Sequence, residues 1–227
     1  RDYYASRGLG DVYKRQHALG LRNVPTEEFS RYIPFSCRFI NDANAAGLAE
    51  VRDLESPRSL VYLSLSNSVG GAILTGGALY GGDHLRAGEF GHNTLVPDGR
   101  PCYCGKKGCL DAYCSAKVLS QLTDGNLALF FDGLRSGNAA LQTAWNEYLS
   151  YLAVAVNNLR MTFDCDVIVG GYVGGFLAEF GEPLREMLVE RNTFEPDSSY
   201  LKFSRYRLEA SALGAALLHI EAFIQNL

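Results

Sequence analysis

Residues 165–188, CDVIVGGYVGGFLAEFGEPLREML, decide the fold class of this chain. The apolar run at the start of the stretch predicts a buried strand, the glycines after it predict a turn, and the remainder predicts a helix. A buried strand followed by a helix is typical of an α/β fold, in which ligands bind at the carboxyl ends of strands. We therefore expect an α/β protein with a binding site at that edge of its sheet.

Strand and helix patterns continue outward from this stretch. PFSCRFIND (34–42) predicts a strand, ANAAGLAEVRDL (43–54) a helix, and LVYLSLSNSVGGAIL (60–74) two strands that turn at Gly70 and Gly71. Further helices are predicted over about 115–122 and about 138–163, an edge strand over 201–206, and a closing amphipathic helix over 210–227. Residues 1–16 show neither a helical nor a strand periodicity, and we interpret them as a junction artefact that is foreign to the domain. This leaves one domain over 17–227.

The composition excludes several classes of protein. The 227 residues are 47% hydrophobic and 20% charged, as in globular proteins, and a net charge of -4 gives no reason to expect nucleic acid or anionic lipid as a partner of this stretch. No run of about eighteen apolar residues predicts a membrane span, and the start carries no apolar signal core. We therefore expect a cytoplasmic protein.

The six cysteines are unevenly distributed, because three of them lie within residues 102–109 and a histidine precedes these by ten positions. Disulfides, thiol redox chemistry and metal binding compete as explanations, and a reducing cytoplasm disfavours disulfides. One imidazole and three thiolates form the tetrahedral set that zinc prefers, and four protein ligands close the shell, so a structural zinc is predicted. A loop with incidental thiols is the alternative. The predicted ligands are His92, Cys102, Cys104 and Cys109, while Cys37, Cys114 and Cys165 are interpreted as small buried hydrophobes.

Polar side chains at two predicted corners are candidates for chemistry. Asp42, at a strand-to-helix corner, either caps the helix, which its position favours, or acts as a general base towards a bound hydroxyl. Asn41 lies beside it. Glu89 and His92 are three residues apart, so one short turn can present a carboxylate and an imidazole to the same ligand. The glycine pairs at 70–71 and 170–171 are weak indications of phosphate binding when taken alone.

Three motifs, in this order and spacing, resemble the ROK family of bacterial sugar kinases and sugar-responsive repressors. They are NDANAAGLAE (41–50), AGEFGH (87–92) and GRPCYCGKKGCLDAYCS (99–115), and the last is highly specific. The resemblance implies the two-lobed actin-like, ribonuclease H-like fold, of which this chain would supply the C-terminal lobe and the end of the N-terminal lobe. It also implies a homo-oligomer, either a dimer or a tetramer.

The resemblance also implies a role for each matched residue. Asp42 matches the catalytic aspartate, which takes the proton from the 6-hydroxyl of the sugar as that hydroxyl attacks the γ-phosphate of ATP, with magnesium accompanying the nucleotide. Asp111 stands where the family usually has a sugar-binding glutamate that is one methylene longer. The other implied sugar contacts are Asn41, Glu89 and His92; the zinc ligands are His92, Cys102, Cys104 and Cys109; and the nucleotide-facing positions are Asn67, Gly70, Gly71, Gly170 and Gly171.

Two departures from the family pattern leave three functions open. Family kinases carry a DxGGT phosphate loop that this sequence lacks, so we expect this chain alone to be inactive. The second loop, usually like GTGxGGG, reads SNSVGGA over residues 66–72, an erosion more typical of the repressor branch. An ATP-dependent hexose or N-acylhexosamine kinase is preferred. The alternatives are the effector domain of a repressor, with nucleic acid bound only through an upstream helix-turn-helix, and a zinc-stabilised assembly domain without a ligand.

Overall fold

The computed structural model describes residues 12–13, 24–52 and 58–225 of the chain. The strands are β1 Val12–Tyr13, β2 Val24–Pro25, β3 Leu60–Leu65, β4 Val69–Thr75, β5 Ala78–Leu79, β6 Asp166–Gly170 and β7 Leu201–Phe203. The helices are α1 Glu27–Ser30, α2 Asp42–Val51, α3 Asp111–Cys114, α4 Ala116–Ser120, α5 Leu127–Arg135, α6 Ala139–Phe163, α7 Gly171–Gly174, α8 Leu177–Phe180, α9 Glu182–Arg191 and α10 Ala210–Gln225.

A five-stranded mixed sheet with the order β5-β4-β3-β6-β7 forms the centre of the fold. β3, β6 and β7 run parallel, and β4 runs antiparallel to both of its neighbours, β3 and β5. The sheet with its covering helices confirms the predicted α/β class. The carboxyl ends of β3 and β6 lie side by side, which is the edge where a ligand site is expected.

Helices cover both faces of the sheet because side chains of a strand point alternately to opposite faces. Val61, Leu63 and Leu65 of β3 belong to the larger core, which they share with the buried side of α6 and an aromatic cluster around Trp145. Leu60 and Tyr62 belong to the smaller core on the other face, where α2 and α10 pack against each other. Helices α2 and α6 are thereby held on opposite sides of one rigid sheet.

The long helix is the element that the sequence predicts best. Asn138 caps α6, since its side-chain oxygen accepts hydrogen bonds from the backbone N–H groups of Ala140 and Leu141, at 3.1 and 3.2 Å. The helix ends at Phe163, before Asp164 in the left-handed conformation with φ 46°. Within the described part of the chain, no helix combines the length and the apolar character that crossing a bilayer requires.

Two predictions about elements were wrong, and one helix was missed. Residues 34–41 are irregular rather than a strand, because none of the described strands forms a ladder with them. The turn between β3 and β4 falls at Ser66–Ser68, and Gly70 and Gly71 lie inside β4, where they allow other segments to approach closely. Helix α5 was not predicted. Its apolar side packs on the aromatic cluster through Phe130 and Phe131.

The cysteines outside the cluster divide into two groups. Cys114 is fully buried, as predicted, and burial raises the pKa of its thiol. Cys37 and Cys165 are only half-buried, which corrects the interpretation of both as buried hydrophobes. Cys37 lies in the irregular segment 34–41, and Cys165 lies just outside the N-terminal end of β6.

The prediction for residues 1–16 falls largely outside the described residues. Only Val12–Tyr13 of that stretch is described, and it pairs antiparallel with Val24–Pro25. The domain predicted over 17–227 likewise includes residues 17–23, 53–57 and 226–227, which lie outside the described ranges. Both boundaries stay predictions.

Candidate functional site

The predicted metal ligands lie in a tightly folded loop between β5 and α3. The loop crosses itself at two bridges, between Thr94 and Cys109 and between Pro101 and Lys107. The backbone N–H of Cys102 donates to the carbonyl of Lys106 at 2.8 Å, which closes the turn that carries Cys104. The backbone alone therefore turns the thiols towards one another.

The four predicted ligands converge as a zinc ion requires. One ligand atom from each of His92, Cys102, Cys104 and Cys109 lies within 4.8 Å of all the others. The sulfurs of Cys104 and Cys109 are 3.7 Å apart, and the Cys102 sulfur is 4.0 Å from His92 Nδ1. A tetrahedron with zinc–sulfur bonds of about 2.3 Å and a zinc–nitrogen bond of about 2.0 Å has edges of about 3.5 to 3.8 Å. The residues present therefore fit zinc.

Two of the three thiols are held in their uncharged form. Burial raises the pKa of Cys102, and it raises that of Cys109 to about 12. The pKa of Cys104 is lowered instead, because hydrogen bonds from the Lys106 backbone and the neighbouring thiols together outweigh its burial. A bound zinc ion removes the protons of coordinating thiols outright. The soft donor set, rather than the pKa values, thus favours a closed structural metal site over a reactive dithiol.

Glu89 precedes one turn of 3-10 helix, Phe90–His92, and His92 is the last residue of that turn, as their spacing predicted. The backbone N–H of His92 donates to the carbonyl of Glu89 at 3.1 Å. Phe90 is buried between this turn and the ring of Phe163, with ring centroids 5.9 Å apart, while the side chain of Glu89 is exposed. The aromatic anchor therefore leaves the carboxylate and the imidazole at the surface.

Asn41, and not Asp42, is the N-cap of α2, which corrects the favoured interpretation of Asp42. The Asn41 side-chain oxygen accepts the N–H groups of Ala43 and Asn44, at 3.0 and 3.1 Å. Asp42 is the first helical residue; it is exposed, and one of its oxygens accepts the Ala43 N–H at 2.9 Å. Asp42 is therefore exposed at the start of the helix and does not serve as its N-cap.

Asp111 is a buried carboxylate at the first position of α3, with only 6% of its surface exposed. It accepts the backbone N–H of Val69, at the start of β4, at 2.6 Å. Burial raises the pKa of Asp111, against the opposing effects of the Val69 hydrogen bond and the nearby His92. Residues 92–109, which contain the four predicted ligands, are called the metal loop below. The Asp111 side chain thus joins this loop to the sheet beside His92.

Residues 69–71 of β4 bring the candidate residues together. A Cβ atom added to Gly70 would lie 3.0 Å from that of Ala43, next to Asp42. A Cβ on Gly71 would overlap the ring of Phe90, in the turn that carries Glu89 and His92. Since Asp111 binds Val69, three separate segments with predicted sugar contacts meet on three consecutive residues.

The predicted nucleotide-facing residues lie at the same edge of the sheet. Asn67 is exposed in the β3–β4 turn. Gly171 follows β6 with φ 78°, and a Cβ there would lie 2.6 Å from the backbone nitrogen of Leu65 and 2.8 Å from the Ser66 hydroxyl. Only glycine permits this approach. The two turns therefore touch at the carboxyl ends of the parallel strands, where phosphates commonly bind.

Two contacts to site residues were not predicted. The hydroxyl of Tyr103 lies 3.3 Å from His92 Nε2, and the Ser211 hydroxyl donates to the backbone carbonyl of Asp42 at 2.9 Å. The position of Tyr103 between two predicted ligands was the only sequence signal for the first contact. The second joins residues 169 positions apart, and no local pattern indicates it.

Sequence comparison identifies relatives of the chain. A model of the ROK family matches residues 6–222. The N-acetylmannosamine kinase of Escherichia coli O9:H4 (strain HS) is 35% identical over 188 residues, which are 79% of this chain and 63% of that protein. The chain thus spans less than two thirds of the length of the curated relatives that it matches.

Two solved structures share the architecture of the chain. A ROK family glucokinase from Streptomyces griseus, in complex with glucose and AMPPNP, has a TM-score of 0.79 at 24% identity. The match covers 95% of this chain and 78% of the glucokinase chain. A ROK family transcriptional regulator, homologous to the Escherichia coli MLC protein, has a TM-score of 0.72 at 21% identity. This match covers 94% of this chain and 59% of the regulator chain. The predicted actin-like, ribonuclease H-like fold is confirmed.

Proposed function

This chain belongs to the ROK family, and we propose that the protein containing it is an ATP-dependent kinase that phosphorylates the 6-hydroxyl of a hexose or N-acylhexosamine. The observation that carries this proposal is that three segments with matched sugar residues, namely the start of α2, the Glu89–His92 turn and the start of α3, all contact residues 69–71 of β4. The 35% identity to an N-acetylmannosamine kinase favours an N-acylhexosamine.

Asp42 would be the general base of the transfer. Its carboxylate takes the proton of the sugar 6-hydroxyl while the hydroxyl oxygen forms a bond to the γ-phosphorus and the bond from that phosphorus to the leaving ADP oxygen breaks. Phosphoryl transfer depends mostly on positioning and on charge stabilisation, so a fixed base and a fixed sugar account for much of the catalysis. The cap made by Asn41 and the Ser211 hydrogen bond hold the start of α2 in place for this role.

The sugar would be bound by Asn41, Glu89, His92 and Asp111. The capping oxygen of Asn41 is engaged with the helix, so its amide NH₂ group is the part directed to a ligand. The exposed Glu89 carboxylate suits a sugar hydroxyl as an acceptor. Asp111 is engaged with Val69 through one oxygen, so its second oxygen is the one proposed for the sugar.

His92, Cys102, Cys104 and Cys109 would hold a structural zinc ion. Bound there, the ion fixes the thiol loop and leaves no open position for an activated water. His92 faces Cys102 through Nδ1, so its Nε2 atom is the one presented to a ligand. The imidazole would thereby contact the sugar from a ring whose orientation is set on its other side.

ATP with magnesium would lie over the carboxyl ends of β3 and β6, near Asn67, Gly70, Gly71, Gly170 and Gly171. We propose that the chain as given is inactive, because a first phosphate loop of the DxGGT type is needed on the other side of the cleft. A cytoplasmic location would supply the ATP and keep the thiols reduced. We expect the complete protein to be a dimer or a tetramer.

A direct assay tests the proposed activity. The full-length protein is incubated with ATP, magnesium and, separately, N-acetylmannosamine, N-acetylglucosamine and glucose, and phosphorus NMR identifies the product. We expect a sugar 6-phosphate from at least one of the three. Sugar binding without any phosphorylated product would contradict the kinase proposal and support the second candidate.

The second candidate is the effector domain of a ROK repressor. The SNSVGGA sequence of the β3–β4 turn supports it, since a family kinase usually has more glycine there, and the similarity to a ROK transcriptional regulator agrees. A helix-turn-helix upstream in the full protein would favour this function, and a DxGGT loop would favour the kinase.

A further inference from the structure

Tyr103 occupies an unusual position in the metal loop, between the predicted ligands Cys102 and Cys104. Half of its surface is exposed, 50%, so the ring does not serve the hydrophobic core. Its neighbours on both sides are fixed by the cluster and by the turn that the Cys102 N–H closes on Lys106. A large aromatic side chain is thus held at the surface on a rigid base.

The hydroxyl of Tyr103 points at the ligand-facing side of His92. It lies 3.3 Å from Nε2, and the two rings meet edge to face with centroids 5.4 Å apart. The opposite nitrogen, Nδ1, faces the Cys102 sulfur at 4.0 Å. Tyr103 therefore contacts the imidazole nitrogen that the metal ligands leave available.

Glu89, another proposed sugar contact, lies in the same turn as His92, whose backbone N–H donates to the Glu89 carbonyl at 3.1 Å. A phenol both donates and accepts hydrogen bonds, as a sugar hydroxyl does, so it suits a site built from acceptors such as carboxylates. Its ring adds an apolar surface suited to the C–H face of a pyranose, and ligand sites commonly combine such surfaces with a few polar groups.

We propose that Tyr103 is a sugar-contacting residue that forms one wall of the monosaccharide site and sets how that site discriminates among hexoses. The inference rests on the proposed function, because it assigns this residue to the same sugar site. In the free protein the Tyr103 hydroxyl is hydrogen-bonded to His92 Nε2. When the sugar binds, one of its hydroxyls replaces the Tyr103 hydroxyl at Nε2, and the Tyr103 ring packs against the sugar. Because residue 103 is not itself a ligand, its side chain can be replaced without removing a metal donor.

Calorimetric titration of the full-length protein with N-acetylmannosamine, and separately with glucose, tests this role. We expect Tyr103→Ala to raise the Kd of the preferred sugar about tenfold, which corresponds to about 1.4 kcal/mol, and Tyr103→Phe to raise it less. The ratio of the two Kd values should also change in Tyr103→Ala. Zinc content by elemental analysis and the melting temperature should stay at the wild-type values in both variants.

Tyr80→Ala is the matched control, since Tyr80 is a tyrosine of similar exposure, 56%, just after β5. Its sugar affinity should equal that of the wild type. If Tyr103→Ala keeps its zinc and binds both sugars as the wild type does, the Tyr103 proposal is overturned while the sugar site stands. A wild-type protein that binds no monosaccharide would overturn the proposed function as well.

Discussion

At the scale of single residues, the site depends on small residues that let distant segments approach. Gly70 faces Ala43 at the start of α2, and Gly71 lies under the ring of Phe90. Val69, between them and the β3–β4 turn, donates its N–H to Asp111. The positions of the proposed base and of the sugar contacts are therefore set by backbone that carries little or no side chain.

The role of Asp42 is tested by Asp42→Asn in the full-length protein. We expect kcat to fall by about 10²- to 10⁴-fold, the usual contribution of a general base, because the amide cannot accept the proton. Sugar affinity, measured by calorimetry, should change by less than about threefold. The Asn41 cap does not involve this side chain, so the helix should stay folded.

Asp124→Asn is the control for Asp42→Asn. Asp124 is exposed, and its backbone has the left-handed conformation, with φ 51°, which asparagine tolerates. Its kinetics should match the wild type. Undiminished turnover in Asp42→Asn would show that another group removes the proton.

Gly71→Ala should destabilise the protein by about 2 kcal/mol, because the added methyl group overlaps the buried ring of Phe90 and approaches the Gly88 carbonyl at 2.9 Å. Urea unfolding measures the change. Gly175→Ala, where the nearest atoms would be 3.7 Å away, should differ from the wild type by less than about 0.5 kcal/mol. Equal stability of the two variants would contradict the close contact at Gly71.

Sequence reasoning at the residue scale predicted a capped start for α2 but did not identify Asn41 as the cap. The types of Asn41 and Asp42 indicated a capped helix start, and either side chain can cap. Which one does so depends on the backbone angles of Asn41, φ -63° and ψ 141°, which tertiary contacts decide. The Tyr103–His92 contact could not be predicted from the sequence either, because it depends on how the loop closes.

At the scale of elements, α2 is fixed at its start by α10 and near its end by the segment that follows β7. Ser211 donates to the Asp42 carbonyl at the start of the helix. Near its end, the buried Glu50 accepts the Ser204 hydroxyl at 2.5 Å and the Arg205 backbone N–H at 3.1 Å. The helix that carries the proposed base is therefore positioned by residues more than 150 positions away in sequence.

Glu50→Ala should lower the free energy of unfolding by about 2 kcal/mol, because the side chain is only 2% exposed and its donors would lose their acceptor. Arg205 is half exposed and can turn to water, which limits the loss. Thermal and urea unfolding measure the effect. Glu190→Ala, on the exposed side of α9, should change the stability little, and a similar change in both variants would contradict the anchoring role.

The ion pair between Arg160 and Glu195 joins α6 to the loop after α9. Its hydrogen bonds lower the pKa of Glu195, so the pair stabilises the folded state above the unfolded value, about 4.3, and loses that contribution as the pH falls below it. Glu195→Gln should therefore be less stable than the wild type at pH 7, and the difference should shrink near pH 3.5. A difference that does not vary with pH in urea unfolding would contradict the pair.

The accuracy of the predicted elements follows from how local their signals are. Helix α6 has its cap at Asn138 and a long run of good helix formers, so its bounds follow from the sequence. The β3–β4 turn was misplaced because glycine pairs usually mark turns, whereas Gly70 and Gly71 serve close packing inside a strand. Residues 34–41 have a strand composition, but pairing is a tertiary property that composition cannot supply.

At the scale of the whole molecule, the metal loop connects the sheet to the helical half of the chain. Asp111, two residues after the predicted ligand Cys109, accepts a hydrogen bond from β4, and Arg100 pairs with Glu147 of α6 at 2.8 Å. The guanidinium of Arg100 also lies 4.7 Å from the ring centre of Tyr113. Disordering the metal loop should therefore lower both the sugar affinity of the site and the free energy of unfolding of the protein.

Cys104→Ser tests the metal centre. We expect elemental analysis to find about one zinc per wild-type chain and much less in the variant, since a serine hydroxyl is a far weaker zinc ligand than a thiolate. The melting temperature should fall by several degrees because bound metal stabilises the fold that holds it. Cys37→Ser, outside the cluster, should keep its zinc. A wild-type protein free of zinc would end the metal proposal.

We propose that an ordered metal loop presents Glu89, His92 and Asp111 to a sugar. The most direct test is calorimetric titration of N-acetylmannosamine into the full-length protein before and after a chelator removes its zinc. We predict that the zinc-free protein, still folded by circular dichroism, binds the sugar at least about tenfold more weakly and recovers when zinc is restored. Equal affinity with and without zinc would contradict the account.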